Sequence, residues 1–299
     1  MRIPTESYEK IYQDYSDALE WMKKIGVKFS SGRTNHYEKV VRRWKDEYTL
    51  VSGERGKVGF ADFVSSMFEV HDFIDIYNAF RDAPYSELTQ LVDKLQKGIY
   101  GPINASNEKP NSTVARNFLF EATVAAKFHH PQIGVETILN ATSDTGIKIG
   151  KKKLWVECKR VSTAGKIEAN VKKASSQLET VIRRQKGSGH RGIVALDVTK
   201  IFYPDDNVYV SNTDSELITS IDRKMDSFIR NYSEIWQDLY RRRDKKIIGT
   251  IVRFSYMATS ESRNLLVRAS QWGMNPRRDI SLSDENIQKA LASYLKSEI

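Results

Sequence analysis

The stretch "DTGIKIGKKKLWVECKR", Asp144 to Arg160, decides how the chain folds. Leu154-Trp155-Val156 reads as a strand bound for a buried core, yet the strand ends on Glu157, Cys158 and Lys159. Side chains alternate along a strand, so Glu157 and Lys159 share one face, about 6–7 Å apart. Burying a carboxylate and an ammonium is costly unless both find partners. "TGIKI" is a second strand, with Gly146 and Gly150 near the turns, and the hairpin it forms brings Asp144 towards the same strand end.

Working outward, "GVETILNAT" suits a further strand, Gly134 to Thr142. Ser112 or Thr113 caps a preceding helix, "VARNFLFEATVAAKF", whose apolar stripe of Val114, Phe118, Ala125 and Phe128 includes Glu121. Downstream, Ile167, Val171, Ala174, Leu178 and Val181 mark a helix to about Gln185, and "GIVALDV" is a fourth strand. Helix, three strands, helix, strand: residues 114–199 predict a compact α/β unit. An extension follows, made of a long helix from Glu216 to Tyr240, the strands "IIGTIVRFSYM" and "NLLVRAS", and a last helix in "SDENIQKALASYL". The first hundred residues read as helices, in "YEKIYQDYSDALEWMKKI", "HYEKVVRRWKDEY", "FADFVSSMFEVHDFIDIYNAF" and "SELTQLVDKLQKGI". "YGPINASNEKPNST", rich in Gly, Pro, Asn and Ser, has a linker's composition. The expected division is an all-helical recognition or regulatory domain, 1–110, and an α/β domain, 111–299.

The chain of 299 residues is 40% apolar, enough for a sizeable core. No eighteen apolar residues run together and no secretion signal opens the sequence, so no membrane association is expected. One cysteine, Cys158, excludes an internal disulfide or a multi-cysteine zinc site, and a reducing, cytoplasmic setting is expected. Net charge is +9. Residues 1–110 hold 16 Lys/Arg against 17 Asp/Glu, whereas residues 145–200 hold 14 against 4. The positive field is therefore centred on the segment with the odd charge pair, which makes a polyanion the expected partner.

Acid-x-Lys occurs three times, at Glu157/Lys159, Asp222/Lys224 and Asp244/Lys246. Asp222 and Lys224 fall in a helix, where positions two apart diverge, and Asp244 belongs to the charge run "RRRDKK". Only Glu157 and Lys159 end an apolar strand. Phosphodiester hydrolysis benefits from a divalent cation that polarises the phosphoryl oxygen and lowers the pKa of a bound water. Mg²⁺ takes hard oxygen ligands, few of them from protein. Asp144, Glu157 and the Cys158 carbonyl are the candidate ligands, with Mn²⁺ able to substitute. Lys159 is placed to hold the attacking water, and Glu121 to bind metal through water or complete a second site. The plain alternatives are a structural ion pair of Glu121 with Lys159 or Arg160, and a turn role for Asp144.

Asp144, Glu157-Cys158-Lys159, the helix with Glu121 and the following helix together resemble the PD-(D/E)XK nuclease superfamily, the restriction-endonuclease-like fold, over roughly a third of the chain. Ser143 replaces the motif's proline, and Val181 stands where some members carry an aromatic residue. The resemblance implies a Mg²⁺-dependent nuclease, in the first instance a DNA endonuclease of restriction or phage defence, with Gln177 near the catalytic site. Lys151, Lys152 and Lys153 at the hairpin, Arg160, and Lys172 and Lys173 on the helix are the expected nucleic-acid contacts. A non-catalytic nucleic-acid-binding protein and an RNA-cleaving enzyme are the alternatives. A homodimer, or a partner protein on the helical domain, is a further expectation. His129 and His130 end a helix and suit capping rather than metal. "GIKIGKK" lacks the spacing of a phosphate loop. Arg241, Arg242 and Arg243 read as a charge run ending a helix. The Cys158 side chain alternates away from the site, into the core.

Overall fold

The computed structural model describes residues 6–29, 32–48, 59–109, 112–139, 143–203, 208–262 and 266–296. Four helices come first: α1 (Tyr8–Lys24), α2 (Arg33–Tyr48), α3 (Phe60–Phe80) and α4 (Thr89–Gly98). Next come α5 (Val114–Lys127), β1 (Val135–Ile138), β2 (Thr145–Ile149), β3 (Lys152–Arg160), α6 (Ile167–Arg184) and β4 (His190–Asp197). The remainder is α7 (Thr199–Phe202), β5 (Tyr209–Ser211), α8 (Asp214–Arg241), β6 (Ile247–Ser260), β7 (Val267–Pro276) and α9 (Leu282–Lys296). The fold is α/β, with nine helices among the described residues.

The strands form one mixed sheet in the order β1-β2-β3-β4-β6-β5, with β7 also pairing β6. β1, β2 and β3 are antiparallel neighbours, while β4 runs parallel to β3 and β6 parallel to β4. The antiparallel steps are short connections, and the parallel step from β3 to β4 needs the α6 crossover. Gly146 faces Trp155 in the β2–β3 register, and a Cβ there would come within 3.3 Å of the indole. The absent side chain lets the indole lie across β2.

Alternation on β3 separates two apolar layers. Leu154, Val156 and Cys158 join Phe120 and Val124 of α5, Phe128 just past its end, and Ile287, Leu291 and Leu295 of α9. Trp155 faces the opposite way, into a cluster shared with Val171, Ala174 and Leu178 of α6. That second cluster continues through α8 and into α1–α4, so the helical segment and the sheet share one continuous core. Within the segment, α3 is apolar around most of its circumference and buries Phe63, Val64, Met67, Val70, Phe73, Ile76 and Phe80, as a helix packed on several sides must. Asp72 of α3 accepts hydrogen bonds from Arg253 of β6 and Arg268 of β7, a buried triad across the same junction.

The expected helices and the four strands up to Asp197 are present. Asn140 to Thr142, expected to end the first strand, lie outside the described residues, as do Asn264 and Leu265 at the start of "NLLVRAS". α7 and β5 were not expected, and β7 runs on to Pro276. The described helices include none long and apolar enough to cross a membrane.

Candidate active site

Pairing of Thr145 with Val156 sets Asp144 one step further along, opposite Glu157. The strand start is fixed there by a backbone contact, since Cys158 N–H donates to Asp144 Oδ2 at 2.7 Å. Alternation then carries Glu157 and Lys159 to the face that Asp144 shares. The Lys159 ammonium lies 3.4 Å from Glu157 Oε2 and 3.7 Å from Asp144 Oδ2, and it donates to the Cys158 carbonyl at 3.0 Å. One cation thus sits among the three oxygen donors that the sequence marked for a metal. The Cys158 thiol points into the opposite layer, where burial pushes its pKa up.

Glu157 is 3% exposed. Burial first, then the Asp144 charge, push its carboxyl up to about 7, against the pull of Lys159. Glu121 is 8% exposed and is likewise raised to about 7, by burial and then by Asp144. Its ion-pair partner is Lys94 of α4, not Lys159 or Arg160. The helical segment therefore supplies a cation to the site, and nothing in "LVDKLQK" announced it. Asp144 and Glu157 are in contact, but Glu121 is drawn to Lys94. Among the described residues no group of three or more His, Cys, Asp or Glu side chains is arranged to hold a metal ion.

Glu121, Asp144, Cys158 and Lys159 line a cleft of about 330 Å³, and the buried Glu157 does not reach its lining. Thr113, Asn117 and Glu121 form one wall, at four-residue spacing along the start of α5. Asn170, Lys173 and Gln177 form the other, on one stripe of α6. Arg160 at the end of β3, Asp197 at the end of β4 and Lys200 in α7 line it with Glu108. Glu108 is held by Arg160 and Lys200, and their charges keep its carboxyl below the usual range although burial opposes them.

Of the expected nucleic-acid contacts, Arg160 and Lys173 line this cleft. Lys172 is exposed on α6 outside the lining. Lys151, Lys152 and Lys153 sit at the hairpin, at the other end of β3, roughly 20 Å from Lys159 at 3.3 Å per residue. The structure does not bring them to the cleft. Gln177 is in place, on the wall facing Glu121. His130 Nε2–H donates to the Lys127 carbonyl, the helix-end role expected for it. Arg241 pairs with Asp238 and Arg243 with Glu179. Asn117, Lys200 and Glu108 were not anticipated; only Asn117, four residues before Glu121 on one helix face, left a local signal.

Comparison of the chain with protein-family models, with curated proteins and with solved structures returned no match.

Proposed function

We propose that the chain is a divalent-metal-dependent phosphodiesterase acting on nucleic acid, with DNA as the first substrate to test and a restriction-endonuclease-like core formed by α5, β1–β3, α6 and β4. The observation that carries this reading is the convergence of Asp144, Glu157, the Cys158 carbonyl and Lys159 at one strand end, with Asp144, Cys158 and Lys159 lining a cleft and Glu157 buried beside Lys159. Two touching carboxylates, one of them buried and driven towards protonation, form a donor set that a divalent cation relieves. Asp144, Glu157 and the Cys158 carbonyl would hold Mg²⁺, with Mn²⁺ as substitute. When bound, the ion supplies polarisation of the phosphoryl oxygen and a bound water of lowered pKa.

The chain's own groups do the rest. Lys159 turns its ammonium towards the attacking water and offsets charge on the phosphate. Lys94 neutralises Glu121 and so limits repulsion among the three acids. Lys173 and Arg160 attract the backbone, and Gln177 orients it by hydrogen bonds.

The pairing of Glu121 with Lys94 also favours a second reading, a non-catalytic nucleic-acid-binding protein on the same fold. Incubating the freshly purified chain with linear, circular and single-stranded DNA and with RNA, under Mg²⁺, Mn²⁺ or chelator, decides between them. Metal-dependent product that disappears in Asp144→Asn and Lys159→Met supports the enzyme. Salt-dependent binding indifferent to metal, without product on any substrate, supports the binder.

A further inference from the structure

Glu108 is an acid whose side chain is 1% exposed, although it is carried on a surface segment, Tyr100 to Lys109, whose Ile103 and Asn107 are exposed. Its Oε1 accepts from Arg160 Nη1 at 2.8 Å, its Oε2 lies 2.5 Å from Lys200 Nζ, and Arg116 Nη1 is 3.9 Å from Oε1. One carboxylate is thus shared by a guanidinium and an ammonium, the arrangement that also receives two oxygens of a phosphate.

The two cations have rigid carriers. Arg160 is the last residue of β3, next to Lys159, and Lys200 follows β4. Their present partner comes from the connecting segment. The lining of the cleft contains four acids, Glu108, Glu121, Asp144 and Asp197, and four bases, Lys159, Arg160, Lys173 and Lys200. Such a balance gives no net attraction to a polyanion. Withdrawing Glu108 leaves four bases against three acids and frees the two cations beside the candidate catalytic lysine.

We propose that Arg160 and Lys200 form a phosphate-binding subsite, that Glu108 fills it in the resting chain, and that a backbone phosphate of the nucleic acid displaces Glu108 and lifts the 100–109 strap. The inference rests on the nucleic-acid reading for its ligand class, but it is tested by binding, without cleavage.

The probe is a fluorescein-labelled 20-base-pair DNA duplex in chelator, followed by anisotropy across a salt series. Glu108→Ala is expected to bind about tenfold more tightly than the native chain, with a salt slope steeper by about one, since the subsite's single phosphate no longer competes with a carboxylate. Adding Lys200→Ala to that variant removes the gain. Glu108→Gln, which keeps the side chain's size and hydrogen-bonding oxygen, gives a smaller gain in the same direction. In the native chain, saturating duplex accelerates cleavage after Glu108 by a glutamate-specific endoprotease, because the displaced side chain becomes accessible. Variants that melt lower without binding more tightly, or a cleavage rate unchanged by duplex, overturn the proposal and leave Glu108 as a tether. If native chain and variants all fail to bind, the subsite and the nucleic-acid reading fall together. If they bind as expected but no metal yields product, the subsite stands and only the hydrolytic reading is lost.

Discussion

Replacing Glu157 by glutamine is expected to stabilise the protein at pH 8 while abolishing cleavage. Glu157 is buried against the Asp144 carboxylate, and its carboxyl rises from the ordinary 4.5 to about 7. Between those values the native state binds more protons than the unfolded chain, so stability falls as pH rises through the window. Above pH 7 the charged side chain costs the fold roughly 3 kcal/mol, at 1.36 kcal/mol per pH unit. Part of that belongs to the pair with Asp144, and the amide gives up the contact to Lys159, so about 2 kcal/mol is the expected gain. For a chain of this size that is a rise of about 3 °C in melting temperature. At pH 4.5 most of the native chain carries a protonated Glu157, and the gain shrinks towards zero. Thermal melts of both proteins in chelator from pH 4.5 to 8.5 read this directly. A glutamine variant that melts lower at pH 8, or whose gain is the same at every pH, would show that Glu157 is not held against a like charge.

Lys159→Met should lower single-turnover cleavage by about 10²-fold or more while duplex affinity changes only a few-fold, because its role is at the reacting phosphate; equal losses in both would make it a binding residue. Neutralising Lys151, Lys152 and Lys153 together should leave the cleavage rate within about twofold, since they lie at the far end of β3, and a tenfold loss would contradict the placement of the reaction at the cleft. Asp72→Ala should cost about 3–5 kcal/mol in urea unfolding, because it leaves Arg253 and Arg268 buried without their shared carboxylate. A cost below about 1 kcal/mol would mean that this triad does not help hold the helical segment to the sheet.

The heart of the site was legible because it is local. Strand alternation and one hairpin register are enough to gather Asp144, Glu157 and Lys159, and they turn the Cys158 thiol away. The helix period placed Glu121 on the buried stripe of α5, whereas Gln177 was marked only by the family resemblance. Lys94 was not legible, because its approach to Glu121, 27 residues on, is set by how α4 packs on α5. The Glu108–Arg160 contact spans 52 residues and had no signal either. Composition marked Tyr100 to Thr113 as a linker between two domains, but it does not report where a single carboxylate on that segment is anchored. Strand β5 is three residues long, and the second half of β7, "QWGMNP", lacks β-branched residues; its pairing is imposed by the long β6 beside it. The hairpin lysines were grouped with the site by charge density, a property of sequence distance, whereas β3 separates them by its own length.

On the proposed function, the Asp144 and Glu157 carboxylates hold one divalent cation beside Lys159. Anomalous diffraction from crystals of the chain grown with Mn²⁺ and a short phosphorothioate duplex tests it most directly. A peak is expected between those two carboxylates and the Cys158 carbonyl, lost in Asp144→Asn. A fully occupied duplex with no metal at that position, or with Mn²⁺ bound elsewhere, would contradict it.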